Sequence, residues 1–362
     1  MIAVSVIILI IYSAIIISFA IAWTRLKPCK EQLRTKKILA ALSIVIPIRN
    51  ESKNLPKLIS ALNKQNFRNF EVIFADDHST DQPELVIEKL AKFDYKIIKL
   101  PPDSTGKKQT LKAGVKSATC RTILATDADC IPHPNWTKTI ASCVANSGGK
   151  LFFAPVIIEH EKILSFAAIQ TLEYASLNMS SAGSIAMDKP IMASAANMVF
   201  DKQLFLEADL REEHPSGDDV FLLEYAKEKG MKTGFIKSRD AVVLTQAQKT
   251  PQDFIRQRIR WASKSKYYKN RFSQLTAIIV FAANLVIPLS LLFAPVYVAL
   301  GVFAAKTLVD YLALNNYLNF FSLGKLKPLI IPMEIFYIFY VITVAVLSLF
   351  GKFEWKDRKY KA

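Results

Sequence analysis

The chain has 362 residues, of which 51% are hydrophobic, and its formal net charge is +16. This length accommodates one sizeable α/β domain with additional elements. Much of the positive charge flanks apolar segments, where it matches the positive-inside pattern and anionic lipid headgroups, and we therefore expect no nucleic-acid partner.

Residues 1–23 form the first predicted membrane helix. They are apolar and uncharged, and they are long enough to cross a bilayer as a helix. A cleaved signal peptide is the alternative, but the apolar run begins at residue 2 without a basic region and is longer than the usual signal core. We expect a retained anchor.

The following part of the chain alternates between strand and helix patterns. Apolar runs predict strands at 42–47, 70–75 and 96–100. Helices are predicted between them, from about residue 54 and over 83–92. This alternation predicts a mostly parallel sheet with flanking helices.

Polar residues follow the first two strands, at the edge where such sheets bind nucleotides. Asn50 and Glu51 follow the first strand, and Asp76 and Asp77 end the second. Either aspartate could accept hydrogen bonds from a base or ribose, and helix capping by Asp77 or Ser79 is the alternative. Lys107, which follows a glycine at a predicted helix start, is a candidate phosphate contact.

An apolar strand at 122–126 runs into Asp127-Ala128-Asp129. On extended backbone, alternate side chains share a face, so both carboxylates should point to the same side. Mg²⁺ and Mn²⁺ prefer oxygen ligands and are often held by one or two carboxylates together with substrate phosphates. The alternative is a pair of solvated turn residues.

Between this motif and the next acidic pair lie three apolar segments. Residues 151–158 predict one strand. Residues 162–179 predict a long helix that packs in the core or lies along a membrane surface. In the segment 193–200, Asn197 is the main hydrogen-bonding side chain.

Asp218 and Asp219 follow a glycine in the first turn of a helix predicted over 216–230. The positive end of a helix dipole favours carboxylates there. Capping and dipole matching are one interpretation, and a general base aimed into a site is the other.

A helix is predicted to begin at Thr250-Pro251. On it, Gln257, Arg260 and Trp261 form one stripe at i, i+3 and i+4. An arginine fork suits an anion, and tryptophan provides a flat face for a ring. The alternative is a membrane-interface tryptophan with snorkelling arginines.

The C-terminal third predicts membrane spans at about 275–293, 296–314 and 329–350, the second of which could instead be interfacial or re-entrant. Lys306 and Asp310 are four residues apart and should pair, facing protein or water. Basic residues place both flanks of the middle domain in the cytoplasm. These are Arg25, Lys27, Lys30, Arg34, Lys36 and Lys37 on one side, and Lys264, Lys266, Lys269 and Arg271 on the other. Three spans would put the basic tail outside, against the same rule.

The predicted organisation therefore has four parts: a membrane helix at 1–23, a cytoplasmic domain at 24–272, a membrane region of about three helices at 273–351, and a basic tail at 352–362. We expect an integral protein of the cell (inner) membrane. The four cysteines show no metal-ligand spacing, and a cytoplasmic domain should keep them reduced.

Taken in order, these motifs resemble the membrane-bound glycosyltransferases of family 2, which have a GT-A fold. The resemblance covers roughly residues 40–270, with Asp218-Asp219 in place of the usual Glu-Asp and residues 192–194 departing from the usual Cys-Gly or Gly-rich form. The matching residues are Ile44-Val45-Ile46-Pro47, Asn50-Glu51, Asp76-Asp77, Gly106-Lys107, Asp127-Ala128-Asp129, Gly217-Asp218-Asp219 and Gln257-Arg258-Ile259-Arg260-Trp261.

The resemblance implies inverting transfer from a nucleotide-diphosphate sugar, with a UDP-sugar favoured, to a lipid or growing polysaccharide. It implies that Asp219 is the general base, that Asp127 and Asp129 hold Mg²⁺ or Mn²⁺, and that Asn197 and Asp218 lie on the acceptor side. The implied nucleotide-sugar contacts are Asn50, Glu51, Asp76, Asp77, Lys107, Asp127, Gln257, Arg260 and Trp261.

Three alternative functions can be compared with this one. A single-addition transferase acting on a polyprenyl phosphate or glycolipid shares the chemistry and differs in product length. A sugar-nucleotide pyrophosphorylase would carry a Gly-rich triphosphate loop near the first strand, which residues 47–51 lack. A transporter is disfavoured by three or four spans beside a domain of about 230 residues.

Overall fold

The computed structural model describes residues 1–29, 39–211, 217–350, 352–355 and 358–361. The predicted basic residues Lys30, Arg34, Lys36 and Lys37 and parts of the tail lie outside the described residues. The strands are β1 Leu42–Ile48, β2 Phe70–Asp76, β3 Tyr95–Lys99, β4 Thr122–Thr126, β5 Ile131–Pro132, β6 Leu151–Phe153, β7 Val156–Ile158, β8 Asn197–Asp201, β9 Thr233–Phe235, β10 Val243–Thr245, β11 Lys352–Trp355 and β12 Arg358–Lys361.

The helices are α1 Ile2–Arg25, α2 Leu55–Asn63, α3 Pro83–Leu90, α4 Lys107–Ser117, α5 Trp136–Ser147, α6 Phe166–Ala186, α7 Lys202–Glu207, α8 Asp218–Glu228, α9 Pro251–Ala262, α10 Arg271–Phe293, α11 Val296–Phe320 and α12 Ile330–Phe350. The chain forms two compact units. The sheet unit comprises residues 27–157 and 192–246, and the helical unit comprises residues 1–26, 158–191 and 247–362. Residues 158–191 and 247–272, predicted within the central domain, lie in the helical unit.

The sheet unit contains a seven-stranded sheet in the order β3-β2-β1-β4-β8-β6-β9. The pairs β1–β2, β1–β4, β2–β3 and β6–β9 are parallel, and β8 is antiparallel to both of its neighbours. The α/β fold with a mostly parallel sheet is therefore confirmed. Strand order reverses between β1 and β4, which is the kind of position where open α/β sheets bind ligands.

Helix α4 packs tightly against β1, which borders this switch point, and against β2. A Cβ placed on Gly114 would lie 2.5 Å from Val45 Cγ1 and 3.4 Å from Ala75 Cβ. The glycine is thus required by the close approach of helix and sheet. Its position fixes α4, and with it Lys107 at the start of the helix.

The predicted strand at 151–158 is wrong in its extent, because the structure divides it into β6 and β7. Ala154 and Pro155 separate the two strands. Proline has no N–H to donate to a sheet, which explains why one ladder does not continue through it.

Two cysteines of the sheet unit form a disulfide, which the sequence analysis did not predict. Cys29 and Cys143 are bonded with a Cα–Cα distance of 6.1 Å, although 114 residues separate them. The prediction that all four cysteines are reduced is therefore wrong for this pair, since sequence spacing does not report on spatial proximity. Cys120 and Cys130 are free thiols.

Among its described residues, the helical unit has four helices that are long and apolar enough to cross a membrane: Ile2–Arg25, Arg271–Phe293, Val296–Phe320 and Gly324–Leu349. The predicted intramembrane pair forms, with Lys306 Nζ 2.8 Å from Asp310 Oδ2. Lys306 also pairs with Glu334, and Tyr12 donates to Asp310 at 2.6 Å. These contacts join α1, α11 and α12. They pair buried charges that lipid tails could not neutralise.

Candidate functional site

Lys107, Asp127 and Asp129 lie near the carboxyl end of β4 in the sheet unit. The strand ends at Thr126, so both aspartates lie in the following turn and not on the extended backbone that the sequence predicted. Both are half-buried, whereas Ala128 between them is buried. Lys107 donates to Asp127 Oδ1 at 2.6 Å, so α4 and β4 bring a cation and a carboxylate together at this edge.

Negative charge accumulates around Asp129. Burial, repulsion from Asp127 and repulsion from Glu51 raise the pKa of Asp129 to about 6, against the opposing effect of Lys107. Among the described residues, no three or more His, Cys, Asp or Glu side chains are grouped so as to hold a metal ion. The carboxylates of Asp127 and Asp129 are nevertheless the hard oxygen donors that Mg²⁺ and Mn²⁺ prefer, and a divalent cation would relieve the repulsion between them.

Asn50 connects the loops that follow β1 and β2. Its backbone is left-handed, with φ of 54°. The side-chain Oδ1 of Asn50 accepts a hydrogen bond from the backbone amide of Thr80 at 2.9 Å, and the backbone amide of Asn50 donates to Ser79 Oγ at 3.0 Å. This residue shapes the two loops at the switch point.

Asp76 and Asp77 are both buried and bonded at the end of β2. Asp76 Oδ1 accepts from the amide of Ser79 at 3.0 Å and from its hydroxyl at 2.5 Å. Asp77 Oδ2 accepts from the Gly106 amide at 3.1 Å, which ties β2 to the residue before Lys107. Neither aspartate caps α3, whose N-cap is Gln82.

Asp218 and Asp219 begin α8 and are buried. The N-cap is Gly217 at φ 102°, and a Cβ there would lie 2.9 Å from the Phe221 ring. Neither aspartate is therefore the capping residue. Asp219 Oδ1 accepts from the Val220 amide at 2.8 Å.

Asn197 has no exposed surface. Its amide nitrogen donates to Pro155 O at 2.9 Å and to Ala241 O at 2.8 Å, and its oxygen accepts from Trp136 Nε1 at 3.0 Å. The expectation that Asn197 faces an acceptor does not match this geometry. Its bonds instead join β8 to the segments that precede β7 and β10.

The Gln257 motif lies on α9 in the helical unit. Thr250 caps the helix by accepting from the Asp253 amide at 3.1 Å, as its sequence predicts. Gln257, Arg260 and Trp261 are all half-buried. Arg258, which was not predicted as a site residue, is buried and forms an ion pair with Glu173 at 2.6 Å. An arginine at i+4 from Phe254 on an amphipathic helix was the available signal.

The mostly parallel sheet with flanking helices is the fold of the GT-A glycosyltransferases. The mannosyltransferase PcManGT from Pyrobaculum calidifontis, solved with GDP-Man and Mn²⁺, has a similar fold, with a TM-score of 0.56 and 15% identity over 96% of this chain and 98% of that one. Residues 122–349 match the family described as Glycosyl transferase family group 2, and residues 43–155 match Glycosyl transferase family 2. The chain belongs to family 2 of the glycosyltransferases.

Two curated relatives are similar over short segments. Glycosyltransferase AglE of Haloferax volcanii is 24% identical over 113 residues, which are 30% of this chain and 37% of AglE. The poly(ribitol-phosphate) beta-N-acetylglucosaminyltransferase TarS of Staphylococcus aureus is 33% identical over 90 residues, 24% of this chain and 16% of TarS. The matched segments thus span less than two fifths of these relatives.

Proposed function

We propose that the chain is a membrane-bound inverting glycosyltransferase that moves a sugar from a nucleotide-diphosphate sugar to a lipid or growing polysaccharide acceptor. The observation that carries the proposal is the meeting of Lys107 with Asp127, beside Asp129, at the switch point of the sheet. That position suits a diphosphate in a family 2 glycosyltransferase.

In this proposal, Asp219 accepts the proton of an acceptor hydroxyl. The hydroxyl oxygen forms a bond to the anomeric carbon while the bond from that carbon to the diphosphate breaks. Attack opposite the leaving group inverts the configuration. The lone pair released by the breaking bond stays on the nucleoside diphosphate, and the proton stays on Asp219.

Asp127 and Asp129 would hold Mg²⁺ or Mn²⁺, which supplies charge neutralisation for a diphosphate leaving group. Lys107 adds a positive charge beside Asp127. Asn50 shapes the loops of the nucleotide site, where Glu51, Asp76 or Asp77 would contact the donor. Gln257, Arg260 and Trp261 would bind the diphosphate and the acceptor end, with Asp218 on the acceptor side.

We favour a UDP-sugar as donor. Relatives and neighbours differ in this respect, since TarS is named for N-acetylglucosaminyl transfer and PcManGT was solved with GDP-Man. Product length separates polysaccharide synthesis from single addition to a polyprenyl phosphate or glycolipid. Gel analysis of the product made from a labelled donor distinguishes these two outcomes.

The test uses the full-length protein in detergent with labelled UDP-glucose, UDP-N-acetylglucosamine and GDP-mannose, each with a polyprenyl phosphate and with a membrane lipid extract. We expect transfer from one of these donors when Mg²⁺ or Mn²⁺ is present, and loss of transfer in EDTA. Asp129→Ala should weaken nucleotide binding without unfolding the protein. Full activity in chelator would contradict the metal role, and no turnover of any donor would contradict the proposed activity.

A further inference from the structure

Arg258 lies within the Gln257 motif but differs from its neighbours in being buried. Its guanidinium forms two hydrogen bonds to one carboxylate, from Nε to Glu173 Oε1 at 2.9 Å and from Nη2 to Glu173 Oε2 at 2.6 Å. The exposed fractions of the two side chains are 2% and 1%. This paired geometry is available to arginine and not to lysine.

The remaining terminal nitrogen of Arg258 contacts the motif itself. Nη1 donates to Gln257 Oε1. Because the amide oxygen of Gln257 is engaged by this bond, its NH₂ group is the part that remains to meet a ligand. An amide that presents two N–H donors suits an anion such as a diphosphate.

Arg258 also holds the ring of Trp261. The guanidinium lies 4.3 Å from the centroid of the Trp261 ring, and Tyr174 packs against the same ring with a centroid distance of 5.7 Å. Stacking of a guanidinium on an aromatic face restricts the rotation of both groups. One buried arginine therefore touches two of the three side chains predicted to bind substrate.

Helix α6 supplies the support for this arrangement. Glu173 and Tyr174 are adjacent on it, and Gln170 exchanges two hydrogen bonds with the backbone of Gln248, just before α9, at 2.9 and 2.8 Å. Tyr340 of α12 donates to Glu173 Oε1 at 2.9 Å. The carboxylate is thus fixed from both α9 and a membrane helix.

A role limited to packing explains this pair poorly. Apolar side chains of similar volume often stabilise a fold as well as a buried ion pair does, or better. What apolar side chains would not reproduce are the contacts of the guanidinium with the Gln257 amide and the Trp261 ring.

We propose that Arg258, held by the Glu173 carboxylate that Tyr340 also binds, is a positioning residue that orients the Gln257 amide and the Trp261 ring for a nucleoside diphosphate. This inference rests on the proposed function. In this role Arg258 acts through its neighbours and does not contact the donor.

The test compares three full-length variants with the wild type. Arg258→Lys keeps the charge and removes the fork. The double variant Glu173→Leu with Arg258→Met removes the charges together and keeps an apolar core. Arg256→Lys is the matched control, because Arg256 is an exposed residue of the same helix whose nearest ion-pair partner is Asp253 at 3.8 Å.

The measurements are donor KM, kcat, the inhibition constants of UDP and of GDP, and thermal stability. A folding defect lowers the amount of active enzyme and hence the apparent kcat, but it leaves KM and the inhibition constants unchanged. Misplaced binding groups instead raise KM and the inhibition constants. For both Arg258→Lys and the double variant, we expect donor KM to rise roughly 10- to 100-fold. The inhibition constant of whichever nucleotide inhibits the wild type should rise by a similar factor.

Wild-type KM and inhibition constants in the folded double variant would overturn the positioning role, because the pair would then serve packing alone. The same holds if Arg258→Lys matches Arg256→Lys in both constants. Failure of the wild type to transfer any sugar would instead overturn the proposed function.

Discussion

Asp219 is the residue whose chemistry the proposed reaction depends on most. A general base contributes roughly 10²- to 10⁴-fold to the rate, so Asp219→Asn should lower kcat by about that factor and leave donor affinity nearly unchanged. Asparagine keeps the oxygen that accepts from the Val220 amide. Because Gly217 is the N-cap, stability should fall by at most ~1–2 kcal/mol. Single-turnover kinetics, nucleotide titration and thermal melting provide the three measurements.

Asp218→Asn is the matched comparison, because it removes a buried carboxylate from the same helical turn. We expect it to change kcat much less than Asp219→Asn does. A large loss in Asp218→Asn with a small one in Asp219→Asn would move the base to Asp218. Near wild-type turnover in both variants would show that the base lies elsewhere.

At the scale of elements, Glu71 connects neighbouring strands at the sheet edge opposite the candidate site. Its carboxylate accepts from the Ser43 hydroxyl and the Thr119 amide, each at 2.6 Å, and pairs with Lys96 at 3.1 Å. Burial opposes ionisation, but hydrogen bonds from Ser43, Thr119 and Lys96 outweigh it and lower the pKa of Glu71 from 4.5 to about 2. This contact joins β1, β2, β3 and the segment leading into β4.

The lowered pKa predicts how stability depends on pH. The folded state releases the Glu71 proton more readily than the unfolded chain, so the contribution is complete above about pH 4.5 and is lost as pH falls toward about 2. Glu71→Gln should cost about 1–3 kcal/mol at pH 7. The difference in melting temperature from wild type should shrink below pH 4.5.

Glu84→Gln is the control, since Glu84 is more exposed and pairs at the surface with Lys99 at 3.1 Å. It should change stability less than Glu71→Gln does. If the difference in melting temperature between wild type and Glu71→Gln stays constant from pH 7 to pH 3, the assignment of this pH dependence to Glu71 is contradicted.

The elements also show what the sequence could predict. Apolar runs located β1, β2 and β4, and turn chemistry placed polar residues at their ends, because both signals are local. The Arg258–Glu173–Tyr340 cluster was missed because its members are 85 and 167 residues apart in the chain. The Cys29–Cys143 bond was missed for the same reason. Burial of Asn197 depends on three segments that meet only in the folded sheet unit.

At the scale of the whole molecule, charge is distributed unevenly among the segments that join the candidate membrane helices. Residues 294–295, between α10 and α11, are uncharged, whereas Lys325 and Lys327 lie between α11 and α12. Cytoplasmic loops are enriched in lysine and arginine. This alternation supports a full crossing by α11, which its buried Lys306–Asp310 pair also permits. It leaves the basic tail as the exception to the rule.

Orientation is therefore a prediction with a direct test. In a Cys120→Ser background, Ala294→Cys should react with a membrane-impermeant maleimide in intact cells, whereas Lys325→Cys and Lys150→Cys should react only after permeabilisation. The Cys29–Cys143 bond makes this experiment more informative, since disulfides are usual in oxidising compartments and persist inside cells mainly in hyperthermophiles. Labelling of Lys150→Cys from outside would reverse the orientation. It would also remove the sheet unit from the compartment in which nucleotide-sugars are made, and with it the proposed donor.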